Sequence, residues 1–368
     1  MPDAQGRIRY AVVGGGWISQ GAFMPGVAQT SNSVMTALVT GDPIKADRLA
    51  QKYHLKSYAY EDFHTLLDSG EIDAVYIATP NFRHREFAEP ALLAGIHVLL
   101  EKPMAASEED CLAINAAARQ SGARLMIAYR LHCEPGTVEM IDRVRRGDLG
   151  DVRLFSSVFS QVTKPSNHRM QSGFWAGPAT DMGPYPLNAV RNLFASEPVE
   201  VHAVATQTPG RPINTPDTVN VTLRFPEERL ATFTVSYSVP ATERFQVIGD
   251  KGEFEASPCF GFGEGVGIAY RATIDGQTQE HKHPVVDHFG GETEYFSDCI
   301  LNDRAPEPDG EEGWRDVRVL AAIERALSTG QAQRLEPLPS LRGIQRDQAR
   351  SLPLAKVPDY VNTAEPNE

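Results

Sequence analysis

The chain has 368 residues, enough for about two domains of ordinary size, each able to bury a core of its own. With 41% hydrophobic and 23% charged residues it is neither fibrous nor wholly disordered. Thirty-five Lys and Arg against 48 Asp and Glu leave a formal charge of −13. That acidity argues against nucleic-acid and membrane partners, while a local basic pocket for one phosphorylated cofactor stays compatible with it.

The first third alternates two periods. Apolar runs at Ile8–Val13, Val34–Val39, Ala74–Ala78, His97–Leu100 and Arg124–Ala128 read as buried parallel strands. Between them, Pro43–Tyr53, Glu61–Leu67, His84–Ala94 and Ser107–Gln120 read as helices, the last opened by Ser107 with Glu108 and Glu109 in its first turn. Such repetition predicts an α/β fold with a doubly wound parallel sheet over residues 1–130. After Gly150 the runs Val152–Phe159, Val199–Thr206, Thr218–Phe225, Ala231–Val239 and Phe245–Ile248 are short and rich in Val, Thr and Phe, joined by Pro- and Gly-bearing turns. They predict an α+β domain over 131–336 around a large, mostly antiparallel open sheet, with helices near Glu292–Leu301 and Gly310–Ser328. Pro337, Pro339, Pro353, Pro358 and Pro366 mark 337–368 as an extended tail, disordered or laid over a neighbouring surface.

Cys111, Cys133, Cys259 and Cys299 are far apart and include no C-x-x-C pair, so zinc-ribbon, redox-motif and disulfide-framework readings fail, and no metal is expected. The apolar stretch Ile8–Val13 is too short for a signal h-region, and no window approaches the roughly 18 apolar residues of a spanning helix. A cytoplasmic, reduced protein is expected.

Val13-Gly14-Gly15-Gly16-Trp17-Ile18-Ser19 follows the first strand and opens a helix. Glycine there lets the backbone turn tightly and a pyrophosphate approach the free N–H groups of the helix start. Ser19 stands where G-x-G-x-x-G has its third Gly or Ala. The second strand ends in Thr40-Gly41-Asp42, with Lys45 shortly after. Thr40 occupies the place of the acid that holds a ribose 2′-OH, and a hydroxyl beside an ammonium suits a 2′-phosphate, so NADP is the expected cofactor. Asp42 is either the N-cap of the next helix or, with a small register change, a ribose ligand.

Leu100-Glu101-Lys102-Pro103 ends the fifth strand, where doubly wound folds bind their ligands, so Lys102 is directed at the nicotinamide crevice unless it is an ordinary surface lysine. In Asp181-Met182-Gly183-Pro184-Tyr185-Pro186 the prolines belong in a first helical turn, which places Asp181 near a helix start and Tyr185 on the same face. The bland alternative is a capping aspartate and a core tyrosine.

On Val13-Gly14-Gly15-Gly16, Thr79-Pro80-Asn81 with His84, Glu101-Lys102-Pro103 and Asp181-x-Gly183-x-Tyr185, the chain resembles the glucose–fructose oxidoreductase / inositol dehydrogenase family over nearly all of residues 7–335. Tyr129-Arg130-Leu131-His132, Thr40-Gly41-Asp42 with Lys45, and Tyr185 are most like the glucose–fructose and aldose–aldose oxidoreductase branch. The resemblance implies a Rossmann domain whose cofactor contacts are Gly14, Gly16, Trp17, Ile18, Thr40, Lys45, Thr79, Pro80, Asn81, His84, Glu101, Lys102 and Arg130. It implies a sugar oxidised at C1, with Tyr185 relaying the hydroxyl proton, Lys102 stabilising the charge that develops, and Asp181 orienting the sugar. In that branch NADP stays bound and a second sugar is reduced to the alditol; a freely exchanging dehydrogenase of the glucose, xylose or inositol type, and a non-catalytic dinucleotide sensor, are the alternatives. Arg130 and Arg169 are read as donors to sugar hydroxyls or as structural ion-pair partners, and His84 as lining the nicotinamide or starting a helix. Secreted members carry a signal peptide and an N-terminal arm that this reading does not find, which puts periplasmic shuttling in doubt and makes the tail from Pro337 the candidate substitute. A homodimer or higher oligomer is expected through the C-terminal sheet, whose open face would otherwise be exposed.

Overall fold

The computed structural model of the protein describes residues 2–165, 167–170, 176–340, 342–356 and 358–363; residues 171–174 of the expected substrate loop Val162–Phe174, and Pro366 of the tail, lie outside them. The chain forms two compact units that interleave in sequence. Among the described residues the first takes 2–134, 286–314 and 349–363, the second 135–285 and 315–348.

In the first unit, β1 (Ile8–Val13), β2 (Ser33–Val39), β3 (Lys56–Tyr58), β4 (Ala74–Ile77), β5 (His97–Glu101) and β6 (Leu125–Ala128) form, among the described residues, a six-stranded sheet in the order β3-β2-β1-β4-β5-β6. Every pair is parallel, and the order reverses beside β1, so the crevice for a ligand opens past the carboxyl ends of β1 and β4. The strands are buried on both faces, which is why they read as continuous apolar runs. β3 escapes the sequence reading because its Lys-Ser-Tyr carries no apolar run and it pairs only at the sheet edge.

Helix His288–Leu301 stands late in the sequence but belongs to this first unit. Its Tyr295, Phe296 and Cys299 share one core with Tyr10, Val12, Phe23 and Tyr76, and Ser297 Oγ lies 2.8 Å from both the Tyr10 hydroxyl and Ser33 Oγ. The strongly apolar positions of that helix therefore complete a sheet laid down some 280 residues earlier, so the unit boundaries do not follow chain order as a split at 130 and 336 does.

In the second unit, β7 (Val152–Ser160), β8 (Glu200–Thr206), β9 (Thr218–Phe225), β10 (Arg229–Ser236), β11 (Thr242–Gly249), β12 (Gly252–Ala256), β13 (Ala269–Ile274), β14 (Gln277–Lys282) and β15 (Gln333–Arg334) form, among the described residues, a nine-stranded sheet ordered β14-β13-β12-β11-β7-β10-β9-β8-β15. Only β7 and β10 run parallel; the remaining pairs are antiparallel. Phe155, Val221, Leu223, Phe233, Val247 and Phe254 alternate onto the buried face. The other face exposes Leu154 of β7 directly opposite Leu230 of β10, and Val204 of β8. Among the described residues no helix is long and apolar enough to cross a membrane.

Candidate active site

The glycine turn is built by close approach. Gly14 has φ +100°, and a Cβ on it would stand 2.9 Å from the Ala78 carbonyl oxygen at the end of β4, whereas a Cβ on Gly16 would meet nothing within 4 Å. Ser19, in the place of the third glycine, is buried and donates its hydroxyl to the Gly14 carbonyl at 2.5 Å. Trp17 and Ile18 open a helix that runs to Val27 with a π-helical stretch at Ser19–Phe23. The stretch leads into Pro25, which has no N–H to give the carbonyl a turn earlier.

At the end of β2, Asp42 is the helix N-cap: its Oδ1 accepts the amides of Ile44 at 2.9 Å and Lys45 at 3.2 Å, and Lys45 Nζ lies 4.0 Å from Oδ2. Thr40 is buried, its hydroxyl accepting the Asp42 amide at 3.3 Å. On the β4 side, Thr79 and Pro80 lead through Asn81–Arg83 into the helix His84–Leu93. The Thr79 hydroxyl is buried and has no hydrogen-bond partner among the described residues. His84 is 1% exposed, and its ring nitrogens lie 2.9 Å from the Thr79 carbonyl oxygen and 3.2 Å from that of Met104. It lies between the loop after β4 and the loop after Glu101-Lys102-Pro103; burial lowers its pKa to about 4, so the ring is neutral and its single N–H donates to one of the two carbonyls.

Glu101 closes β5 and Lys102 follows it. Glu101 accepts the Tyr76 hydroxyl at 2.6 Å and the Lys102 amide at 3.2 Å; burial raises its carboxyl, against the pull of those hydrogen bonds and of the Lys102 charge. Arg130, 4% exposed, gives its Nη1–H to His288 Nδ1 at 2.8 Å. Burial, then the Arg130 charge, holds His288 well below its ordinary value, so it stays the neutral acceptor that bond requires. One turn along the same helix, Glu292 is fully buried, and among the described residues neither carboxylate oxygen has a hydrogen-bond partner. Burial and the neighbouring Glu101 charge push it well above the carboxylate range, so it holds its proton. The sequence reading missed Tyr76, His288 and Glu292, because nothing in the spacing ties residues 288–292 to β5.

In the second unit, Asp181 ends a one-turn helix, Pro178–Asp181, and Tyr185 lies in the next helix, Pro184–Phe194. Asp181 is therefore not the cap of the helix that carries Tyr185. Gly183 joins the two because a Cβ there would run into the Ala179 carbonyl oxygen. The Asp181 carboxylate accepts the Tyr237 hydroxyl at 2.6 Å and pairs with Arg169 Nε at 3.6 Å. Burial, then the Asp181 charge, drives the Tyr237 phenol well above its ordinary value and keeps it a donor. Tyr185 packs edge-on against Phe159 at 5.3 Å and beside Phe260 at 5.9 Å, and its helix is anchored at the far end by buried Arg191, 2.8 Å from Glu197 and 2.5 Å from Asp316. Tyr237, just past the end of β10, was also missed; its partner lies 56 residues away.

The model of an oxidoreductase family with an NAD-binding Rossmann fold, GFO_IDH_MocA, matches residues 8–129, and that of the GFO/IDH/MocA C-terminal domain matches residues 137–255. The chain is 30% identical to a D-xylose 1-dehydrogenase [NADP(+)] of Haloarcula marismortui over 89% of its own length and 93% of the relative's, and 27% identical to a D-xylose 1-dehydrogenase (NADP(+)) of Haloferax volcanii over 89% and 99%. The crystal structure of an aldose–aldose oxidoreductase from Caulobacter crescentus, complexed with glycerol, is 35% identical and superposes with a TM-score of 0.84 over 89% of this chain and all of that one.

Proposed function

We propose, for a chain that belongs to the GFO/IDH/MocA oxidoreductase family, that its reaction is the NADP-dependent oxidation of an aldose at C1 to the lactone. The observation that carries this reading is the Asp181 carboxylate, held from two sides by Tyr237 and Arg169 a few residues before Tyr185. The first unit fits a dinucleotide: Gly14 is turned at positive φ, Gly16 is open on its Cβ side, the buried Thr79 hydroxyl lacks a partner among the described residues, and Thr40 stands where an acid would repel a 2′-phosphate. Gly14, Gly16, Trp17 and Ile18 would hold the pyrophosphate, Thr40 and Lys45 the 2′-phosphate, and Thr79, Pro80, Asn81, Glu101 and Arg130 the nicotinamide end, with His84 between the two loops. The NADP-dependent relatives support the same choice.

When bound, NADP supplies the hydride acceptor. Tyr185 relays the proton of the C1 hydroxyl, passing its own phenolic proton on to water as it accepts that proton, while the C1–H bond breaks with its electron pair leaving with the hydrogen and the C1–O bond becomes a carbonyl. Lys102 stabilises the negative charge on the oxygens as the proton moves. Asp181 accepts a hydrogen bond from the sugar and fixes its orientation, with Arg169 and Arg130 as further donors. The 35% identity to an aldose–aldose oxidoreductase supports the finer reading that NADP stays bound and returns the hydride to a second sugar, giving an alditol. The protein works in the cytoplasm as a homodimer or higher oligomer through the exposed Leu154–Leu230 face of the second sheet.

An absorbance spectrum of the purified protein tests this. Bound nucleotide that is reduced by D-xylose or D-glucose alone and reoxidised by a second sugar supports the shuttle; reduction only on added NADP leaves a simple dehydrogenase. Normal turnover by Lys102→Met would overturn the mechanism.

A further inference from the structure

We propose that residues 359–362 are a strap that holds the glycine turn in shape and so sets how slowly NADP leaves; the proposal rests on reading that turn as the NADP site. The C-terminal segment is anchored first on the helix that opens at His288. Arg350 N–H donates to the Cys133 carbonyl at 2.9 Å, Asp287 N–H donates to the Leu352 carbonyl at 3.0 Å, and the Asp287 carboxylate accepts the Ala355 amide at 3.3 Å. The chain then reaches the nucleotide-binding edge. Trp17, directly after Gly16, donates its indole N–H to the Tyr360 hydroxyl at 3.0 Å, and Asn362 donates to Asp42, the cap beside Thr40 and Lys45.

The link to the turn itself runs through Gln20, which is 1% exposed. Its side-chain amide donates to the Gly15 carbonyl at 2.9 Å and to the Val361 carbonyl at 2.9 Å, while its Oε1 accepts the Val361 amide at 2.7 Å. Two of these three bonds come from the strap. Without it a buried amide under the turn is left partly unsatisfied, and the backbone it braces loosens. The seat is shaped for the strap: a Cβ on Gly21 would stand 2.8 Å from the Tyr360 hydroxyl. No glycine-turn chemistry requires a glycine there; the tyrosine does. The strap therefore touches both ends of the phosphate-binding edge, the helix start after Gly16 and the cap after β2, and residues Tyr360, Val361 and Asn362 are positioning residues for the cofactor.

The test compares the full chain with a chain ending at Pro358, with Val361→Pro, which removes the amide given to Gln20, and with Gly21→Ala, which unseats Tyr360 from the other side. Displacement of bound NADPH by excess NADP, followed by nucleotide fluorescence, gives the release rate; hydrogen exchange of amides 14–21 in nucleotide-free protein gives the state of the turn. Release about tenfold faster, or more, in all three variants, with faster exchange confined to residues 14–21, is expected. Should the truncated chain fail to fold, the two point variants decide. Wild-type release rates and exchange in folded variants would overturn the strap. If the full chain bound no NADPH at all, the nucleotide reading would fall and the retention role with it, an outcome distinguished by the exchange data, which report the strap without nucleotide.

Discussion

Tyr237, itself fully buried, donates its hydroxyl to Oδ2 of the partly exposed Asp181 at 2.6 Å, so the carboxylate is held from its protein side. Tyr237 thus aims the carboxylate that is proposed to orient the sugar. Tyr237→Phe is expected to lower kcat about tenfold, on the order of 1.5 kcal/mol, while NADP affinity stays at the wild-type value. Steady-state kinetics with varied sugar and varied NADP check it; an unchanged kcat would show that Arg169 alone holds Asp181.

Thr40 ends β2 without an acid, and Lys45 follows on the next helix. Thr40→Asp brings a carboxylate to the place where a 2′-phosphate would sit, and like charges at a partly buried site repel by about 1–4 kcal/mol. The KM for NADP should rise at least about tenfold and that for NAD should not. Equal effects on both nucleotides would mean that the 2′-phosphate is held elsewhere.

Two buried groups give opposite pH dependences. His84 is neutral in the folded chain, with its pKa lowered from 6.5 to about 4, so its contribution is whole above pH 6.5 and is lost as pH falls from 6.5 toward 4, at most about 3 kcal/mol. Glu292 holds its proton, so stability is greatest below the ordinary carboxylate range and declines as pH rises from it. Denaturant unfolding between pH 4 and 8 should show His84→Asn flattening the acid limb, and Glu292→Gln gaining stability relative to the parent at pH 8 more than at pH 5. Parallel curves for parent and variants would contradict both assignments.

Leu154 and Leu230 face each other on adjacent strands and are 48% and 45% exposed. Leu230→Glu puts a charge at the centre of the proposed subunit interface and should weaken a dimer at least about a hundredfold. Light scattering on a sizing column reads this directly; a parent protein that is monomeric at micromolar concentration would remove the interface.

The turn chemistry was largely legible from residue order. Helix Pro43–Tyr53, the Ser107 cap and the glycine turn after β1 follow from local rules, since capping, proline placement and positive φ are decided within a few residues. The strand β14, Gln277–Lys282, was not legible: its residues are nearly all polar and exposed, and only pairing with β13 makes it a strand. The two downstream prolines point to Asp181 near the start of the helix that carries Tyr185, whereas one helix ends at Asp181 and the next begins at Pro184, where the missing proline N–H cannot continue the first.

The chain by itself determined the parallel sheet, the turn at Gly14, and the residue types that carry the proposed chemistry, because period, turn and cap are short-range properties. Only the tertiary structure decided that His84 lies buried between two loops, that Arg130 meets His288, that Tyr237 holds Asp181 and that Val361 satisfies Gln20. Those pairings join residues distant in sequence or depend on which side of a sheet a segment returns to, and burial, which no local pattern encodes, then sets their charge states.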